Sequence, residues 1–457
     1  MTKYTMLIFA FIFSISISIH ARDKILRLEQ FIDLAKKNDP DFEKIQSDRS
    51  KLDYLVDKNL PSRKILLSLQ SEHEVASSNN QDSSKTTASI SKDIISTGTN
   101  LSLTQINTEK AGSVDKETEV RMEQSIYKNF MGRDVRLKKD ALNVEREIVK
   151  LQILDSYENY ISEISKIYLD FAQSYINLKL AREISRETLR LENNVLKKRK
   201  KNIATRTDVN RIKLHVILKK EDVINREIEY VSVKEKVKRI IGKELDNEIP
   251  EIDINLPAGY SFGSDITKIK NKSLRVYKIQ QLNENIASKN YLLSKRELYP
   301  DVNLVAGYNY NKNKTDTSSS NNNEAIVGIK INIPIGDSTA KADKKSELLK
   351  FMKSKIERKK VFKDTEQQFK EQKNRLEQLK KKLELSREKV RVAGQILEDE
   401  KRRYLYAKLT LERLIEIKND FAEYRFKYNT DLINFNKSCL EWLNLNDMLL
   451  AQKSLNQ

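Results

Sequence analysis

Side chains that could carry out catalysis or bind a metal are few in this sequence and far apart. Cys439 is the only cysteine, and the three histidines are His20, His73 and His215. A catalytic triad or a zinc site gathers several such groups with recognisable spacings, and none of these spacings occurs here. Gly-rich phosphate loops and the G-x-S-x-G turn are also missing from the sequence. We therefore expect no enzymatic activity, no cofactor and no metal site.

Polar side chains cluster instead at two short interruptions of long helical segments. The stretch NIATRTDV begins at Asn202 and AKLTLERL begins at Ala407. The two align, with Thr205 opposite Thr410. Both stretches contain hydroxyl, carboxylate and guanidinium groups, without the spacing of a catalytic site.

The composition predicts the long helices that carry these breaks. The chain has 457 residues, of which 33% are charged and 7% aromatic, with only 10 Gly and 6 Pro. This is typical of extended helices and not of a compact enzyme. The net charge of +19 invites a nucleic-acid partner. However, Lys and Glu alternate as on solvated helix faces and no nucleic-acid-binding motif occurs, so we expect none.

Two segments have the apolar spacing of a coiled coil. They cover residues 133–203 and 339–406, and their apolar residues are separated by steps of three and four, with a single step of seven in the second segment. The first spans roughly 107 Å if it is helical throughout. The apolar residues are Ile161, Ile164, Tyr168, Phe171, Tyr175 and Leu178 in the first segment, and Leu376, Leu379, Leu383, Val390, Ala393 and Leu397 in the second.

Other stretches alternate with a period of two and predict β-strands. In LYPDVNLVAGYNYNKN, Val302 to Tyr310 place apolar or aromatic side chains on one face. The polar run Asn311–Glu324 is interpreted as a loop, followed by a strand with apolar residues at every odd position from Ala325 to Ile335. The first half offers two to four strands, beginning near Ile65. A soluble sandwich and a membrane barrel both fit such alternation.

The surroundings of these strands favour a membrane barrel shared by several copies. Four to six strands cannot close a barrel alone, since about eight are needed. An open sheet edge in lipid would leave backbone groups unpaired at several kcal/mol each. Three copies would supply about 12 to 18 strands. Tyr308 and Tyr310 would then lie in an aromatic belt at the membrane surface.

The N-terminus has the features of a secretory signal peptide. Lys3 precedes an apolar run over 6–19, and Ala21 closes a plausible cleavage site. An uncleaved anchor is the alternative. No Cys lies near the cleavage point, so we expect no lipid anchor and a mature protein outside the cytoplasm.

Four motifs together resemble the TolC-like outer-membrane efflux and secretion channels. LEQFIDLAKKNDPDF is similar to the family's opening helix, and LYPDVNLVAGYNY to the start of a barrel strand. VGIKINIPIGDS and QSIYKNFMGRDVR resemble the ends of barrel strands in the two halves, although Ser125 stands where the family usually has Pro. Their order and duplication cover nearly the whole mature chain.

The resemblance implies a mainly α protein with membrane β-structure. Two tandem helix–strand–long helix repeats would form a homotrimeric outer-membrane β-barrel continued by a periplasmic α-helical coiled-coil tunnel. The implied segments are a signal peptide (1–21), a first repeat (22–241, with barrel strands about 62–128 and a helical hairpin about 133–241), a linker (242–264) and a second repeat (265–457, with barrel strands about 300–335 and a hairpin about 339–450).

The resemblance also places a gate at the helix breaks. By position, Thr207, Asp208 and Tyr404 match the polar groups that close the family's periplasmic aperture. Glu416 matches an acidic position that lines the pore in the family. The alternative is that all four are ordinary helix-surface residues. The family usually has Gly at both breaks, where this chain has the Asn and Ala that open the two stretches.

The implied function is a passive exit duct. Substrates would come from an inner-membrane transporter through a periplasmic adaptor of the membrane-fusion class, and the barrel would contact outer-membrane lipid. The alternative is a periplasmic coiled-coil adaptor or scaffold without a pore. A basic run before the first break is a candidate adaptor or lipid contact, or simply a solvated patch. It consists of Lys197, Lys198, Arg199, Lys200 and Lys201.

Overall fold

The structure is a computed structural model that describes residues 24–60, 64–75, 82–110, 112–242, 248–250, 274–315 and 318–450. The predicted signal peptide and most of the predicted linker lie outside these ranges, as does the start of the second repeat, predicted from residue 265. The chain divides into two compact units. Unit 1 contains 161–261 and 376–440 with the N-terminal segment to Pro40, and unit 2 contains 41–160, 262–375 and the C-terminal end.

The chain is mainly helical, as the composition predicts. In chain order the helices are α1 (Leu28–Asn38), α2 (Pro40–Asp48), α3 (Lys51–Asn59), α4 (Arg133–Lys200), α5 (Arg206–Ile241), α6 (Arg275–Glu297), α7 (Ser338–Leu405) and α8 (Leu411–Leu445). Within the described ranges, none of these helices combines the length and the apolar composition that a membrane span requires.

The strands form two sheets. The strands are β1 (Lys24–Leu26), β2 (Ile65–Glu74), β3 (Ser83–Ile94), β4 (Thr99–Lys110), β5 (Ser113–Ser125), β6 (Glu248–Pro250), β7 (Asp301–Thr315) and β8 (Ser319–Asn332). β1 pairs with β6 in parallel in unit 1. The other six form one antiparallel sheet in unit 2, in the order β2-β3-β4-β5-β7-β8. The first half therefore supplies four strands, the upper end of the predicted range.

The predicted loop between Asn311 and Glu324 is wrong. β7 continues to Thr315 and β8 begins at Ser319, with Lys312 paired to Asn321 across the ladder. β3 likewise begins at Ser83, within a polar run. Ladder hydrogen bonds join backbone groups, so polar side chains can extend a strand that alternation of apolar residues no longer marks.

A tight turn joins the sheet to α4 in unit 2. Gly132 has φ of 68°, and a Cβ atom there would collide with the carbonyl oxygen of Ile95. The side chain of Asn129 accepts a hydrogen bond from the Asp134 backbone N–H at 3.1 Å, which satisfies one free donor at the start of α4. The junction therefore requires glycine at residue 132 and fixes where β5 passes into the helix.

A buried charge cluster holds unit 2 together at the N-terminus of α6. The guanidinium group of Arg275 contacts the fully buried Glu158, lies 2.5 Å from Asp155 and 3.0 Å from Asp447. Glu158 also accepts the Leu449 backbone N–H at 2.5 Å. A buried carboxylate is stable only when paired and hydrogen-bonded in this way.

Candidate functional site

The two helix breaks lie together in unit 1 and have the same backbone shape. α4 ends at Lys200 and α7 at Leu405, each followed by a residue with positive φ. These residues are Asn202, with φ of 58°, and Ala407, with φ of 56°. Glycine adopts this conformation most easily, and Asn more easily than Ala. Both breaks therefore form a left-handed turn without glycine.

One hydrophobic cluster lies beneath both breaks. Val195 and Ile212 are fully buried within it, and Leu414 nearly so. Since the cluster contains residues from both sides of each break, packing fixes the two turns relative to each other. Its buried members are Leu191, Val195, Ala204, Ile212, Leu397, Tyr404, Leu411, Leu414 and Ile417.

The first break is closed by a reciprocal cap at the start of α5. The Asp208 N–H donates to Thr205 Oγ1 at 3.0 Å. Asp208 Oδ2 in return accepts from the Thr205 N–H at 2.9 Å and from the Thr205 hydroxyl at 2.7 Å. These bonds lower the pKa of Asp208, and the charge of Arg211 lowers it further. Asp208 is therefore ionised and bound to its own helix terminus.

The second break has only half of this cap. The Arg413 N–H donates to Thr410 Oγ1 at 3.3 Å, in the position equivalent to the first cap. Arg413 has no carboxylate that could accept a hydrogen bond from the Thr410 N–H. Its guanidinium group instead lies 2.6 Å from Glu416. The two side chains are each 56% exposed. Glu416 is therefore paired within its own helix.

Tyr404 occupies the space between the two breaks. Its side chain is 9% exposed and belongs to the hydrophobic cluster. The Lys198 ammonium lies 3.9 Å from the ring centroid and donates to the Tyr404 carbonyl oxygen at 3.3 Å. Burial raises the pKa of the Tyr404 hydroxyl, and the nearby charge of Asp208 raises it further. Tyr404 therefore lies within electrostatic range of Asp208.

The other predicted residues are placed differently. Thr207 is exposed on the first turn of α5, and Glu416 is engaged by Arg413. Within the basic run, Lys198 binds Tyr404 and Arg199 donates to the Ala204 carbonyl oxygen at 3.2 Å. The other three lysines of the run are exposed. Two of the five cations in this run therefore stabilise the turn itself. The assignment of a gate to these breaks stays a prediction.

Sequence reasoning missed the ion pairs that join helices near the breaks. Arg425 binds Glu183 through two contacts of 3.1 and 3.2 Å. Lys418 lies 3.2 Å from Glu187. Partners more than 200 residues apart carry no local signal, so these pairs were not predictable from spacing.

A second candidate site is the six-stranded sheet, one face of which exposes apolar side chains. Val327 is 80% exposed and Ile331 is 58% exposed. The register aligns these side chains across all six strands, as in the row Leu67, Ile90, Leu103, Val120, Tyr308 and Ala325. An exposed apolar surface of this extent marks an interface with lipid or with protein.

The opposite face of the sheet is polar and charged. On β5, Arg121 lies 3.2 Å from Glu119 and 3.4 Å from Glu123. Lys330 on β8 lies 3.6 Å from Glu123. Apolar residues on one face and ionised residues on the other are the pattern of a sheet between lipid and water.

No protein-family model matches the sequence, and no curated protein matches it either. Solved structures do match. The outer membrane protein VceC from Vibrio cholerae is 11% identical with a TM-score of 0.70, covering 92% of this chain and 96% of that chain. The open-state MtrE outer membrane channel of Neisseria gonorrhoeae is 13% identical with a TM-score of 0.69, covering 92% and 89%. The Campylobacter jejuni CmeC outer membrane channel is 12% identical with a TM-score of 0.64, covering 92% and 85%.

Proposed function

We propose, since the chain has the fold of the TolC-like outer-membrane channels, that it is the outer-membrane duct of a tripartite efflux or type I secretion system. Substrates enter from an inner-membrane transporter through a periplasmic adaptor and leave by passive movement. The protein is a homotrimer in the outer membrane and extends into the periplasm. The two sequence repeats, 22–241 and 265–457, each contribute strands to one barrel and a helical hairpin to one tunnel.

The exposed apolar face of the sheet is the observation that carries this proposal. In the described part of the chain, no strand pairs with the outer edge of β2 or of β8. The six strands alternate in direction, so β2 and β8 run antiparallel. β8 of one copy can therefore pair with β2 of the next, and a ring of copies closes the barrel. Three copies give about 18 strands, within the range of barrels with an aqueous channel.

The helix breaks serve as the gate in this proposal. The cluster beneath them, the cap on α5 and the Lys198–Tyr404 contact hold the closed arrangement. When the gate opens, contacts that involve Asp208 and Tyr404 are lost. The apolar cluster keeps the two turns intact. The exposed lysines of the basic run are then available to an acidic adaptor surface.

Single-channel recording together with an oligomer mass tests the proposal. The protein is purified in a neutral detergent, its mass is determined, and it is inserted into a planar bilayer. We expect a trimer that produces discrete conductance steps. A monomer or dimer without conductance would overturn the proposal and favour the periplasmic scaffold.

A further inference from the structure

Three lysines meet on the apolar side of the sheet, where the apolar side chains end. They are Lys116 on β5 and Lys312 and Lys314 on β7. Each lies on the same face as Leu304, because residues with even numbers on both strands share that face. All three side chains are exposed.

Lys116 and Lys312 lie directly opposite each other in the ladder. The Cβ atoms of such a pair are about 5 Å apart, and Lys314 is about 7 Å further along the strand. Like charges directly opposite destabilise a sheet. Within the described ranges, none of the three lysines forms an ion pair; Glu109 on β4 shares this face, opposite Val114. The arrangement therefore favours an anion that binds the three ammonium groups together.

The height of the cluster matches a lipid headgroup. Lys312 follows the aromatic residue Tyr310 and lies ten residues beyond Val302, where the apolar face of β7 begins. Ten residues of a strand tilted by about 40° rise about 25 Å, the height of the apolar band of a membrane barrel. β7 begins directly after α6, so the lysines are at the end of the strand that is distant from that helix.

We propose that these lysines form a binding site for a phosphate-bearing lipid of the outer leaflet. The inference rests on the proposed function, which places the helices in the periplasm and the far end of β7 at the cell surface. Tyr308 and Tyr310 contact the boundary between acyl chains and headgroups. The ammonium groups bind the headgroup phosphate, as basic clusters beside a membrane bind anionic lipids.

Native mass spectrometry of the solubilised trimer with added lipid A tests this site. The test variant is K116Q/K312Q/K314Q. The matched control is K85Q/K110Q/K330Q, which removes three lysines from the opposite face of the same sheet. We expect the wild type and the control to retain lipid A, and the test variant to bind it at least about tenfold more weakly. Equal binding by the test variant would overturn the inference.

Two further measurements distinguish a failure of the lipid site from a failure of the proposed function. An excess of inorganic phosphate should leave lipid A bound; complete displacement would show a site for free phosphate and overturn the lipid assignment. Oligomer mass and conductance are recorded on the same preparations. A conducting wild-type trimer that binds no lipid A would overturn this inference alone, whereas a protein without trimer or conductance would overturn the proposed function as well.

Discussion

The ammonium group of Lys198 lies 3.9 Å from the centroid of the Tyr404 ring and also donates to the Tyr404 carbonyl oxygen. This contact joins the last turn of α4 to the last turn of α7. The ring is buried and the cation covers it, so a cation–π interaction adds to the packing beneath the breaks. Lys198 thus stabilises the two breaks and is not a free contact for a partner.

Replacing Lys198 with Gln should loosen the first break. The loss of the cation–π contact and one hydrogen bond is expected to cost about 1 kcal/mol. The Ile203 N–H donates to the Lys198 carbonyl oxygen at 2.9 Å. Its amide hydrogen exchange should then become about fivefold faster, since 1.4 kcal/mol corresponds to a factor of ten. Lys197→Gln is the control, because Lys197 is exposed. The same rate in both variants would contradict the assignment.

The two caps should differ in strength. Thr205→Ala removes the two bonds of the cap that use the Thr205 hydroxyl and leaves only the bond from the Thr205 N–H to Asp208. The expected cost is about 1–2 kcal/mol of local stability at the start of α5. Thr410→Ala removes a single hydrogen bond of 3.3 Å and should cost less. Hydrogen exchange in the first turns of α5 and α8 compares the two. A larger effect from Thr410→Ala would show that the cap on α5 is not formed.

The stability of unit 1 should fall between pH 6.5 and pH 4 because of His215. The pKa of His215 is lowered to about 4, mainly by burial and also by the charges of Lys219 and Lys418, while the charge of Asp222 opposes this shift. A folded-state pKa below the unfolded value means that acid favours unfolding, so this contribution is complete above pH 6.5 and lost by about pH 4. Its size is at most about 3 kcal/mol.

Guanidinium unfolding at pH 7 and pH 5 measures this dependence. The free energy of unfolding of the wild type should fall by up to about 2 kcal/mol from pH 7 to pH 5. In His215→Gln this decrease should be smaller by the contribution of the histidine. His73→Gln is the control, since His73 is exposed on β2. An unchanged pH dependence in His215→Gln would assign it to other groups.

The buried cluster at Arg275 should be essential to unit 2. Glu158→Gln leaves the guanidinium group with a weaker partner in a buried place, at an expected cost of about 3 kcal/mol. The Leu449 N–H also loses its carboxylate acceptor, so its hydrogen exchange should accelerate. Glu163→Gln, an exposed change on the same helix, should leave both unfolding and exchange as in the wild type. Protection at Leu449 that survives Glu158→Gln would contradict this role.

The double variant Asp208→Asn with Tyr404→Phe should open the gate. Both changes keep the side-chain shape while removing the charge and the hydroxyl group, so folding is preserved and contacts of the closed state are weakened. We expect conductance to rise at least about twofold. Glu416→Gln is the control, because Glu416 pairs with Arg413 in its own helix. Unchanged conductance in the double variant would remove Asp208 and Tyr404 from the gate.

Much of the fold was predictable because it repeats locally. The apolar steps from Ile161 predicted α4, and the alternation from Val302 predicted β7. The strand ends were not predictable, since Lys312 pairs through its backbone whatever its side chain is. At the breaks, the spacing from Thr205 to Asp208 does have the pattern of a helix cap. The Lys198–Tyr404 contact joins residues 206 positions apart, which no periodicity reveals.

The most direct test of the account is cysteine labelling along β7 in lipid vesicles. Cys439 gives little background, since it is buried and burial raises its pKa to about 12. Single cysteines replace Leu304, Ala306 and Tyr308 on one face and Asn303 and Asn309 on the other. We predict that a water-soluble maleimide labels the second group and not the first. Equal labelling of both faces would contradict a sheet that separates lipid from a water-filled channel.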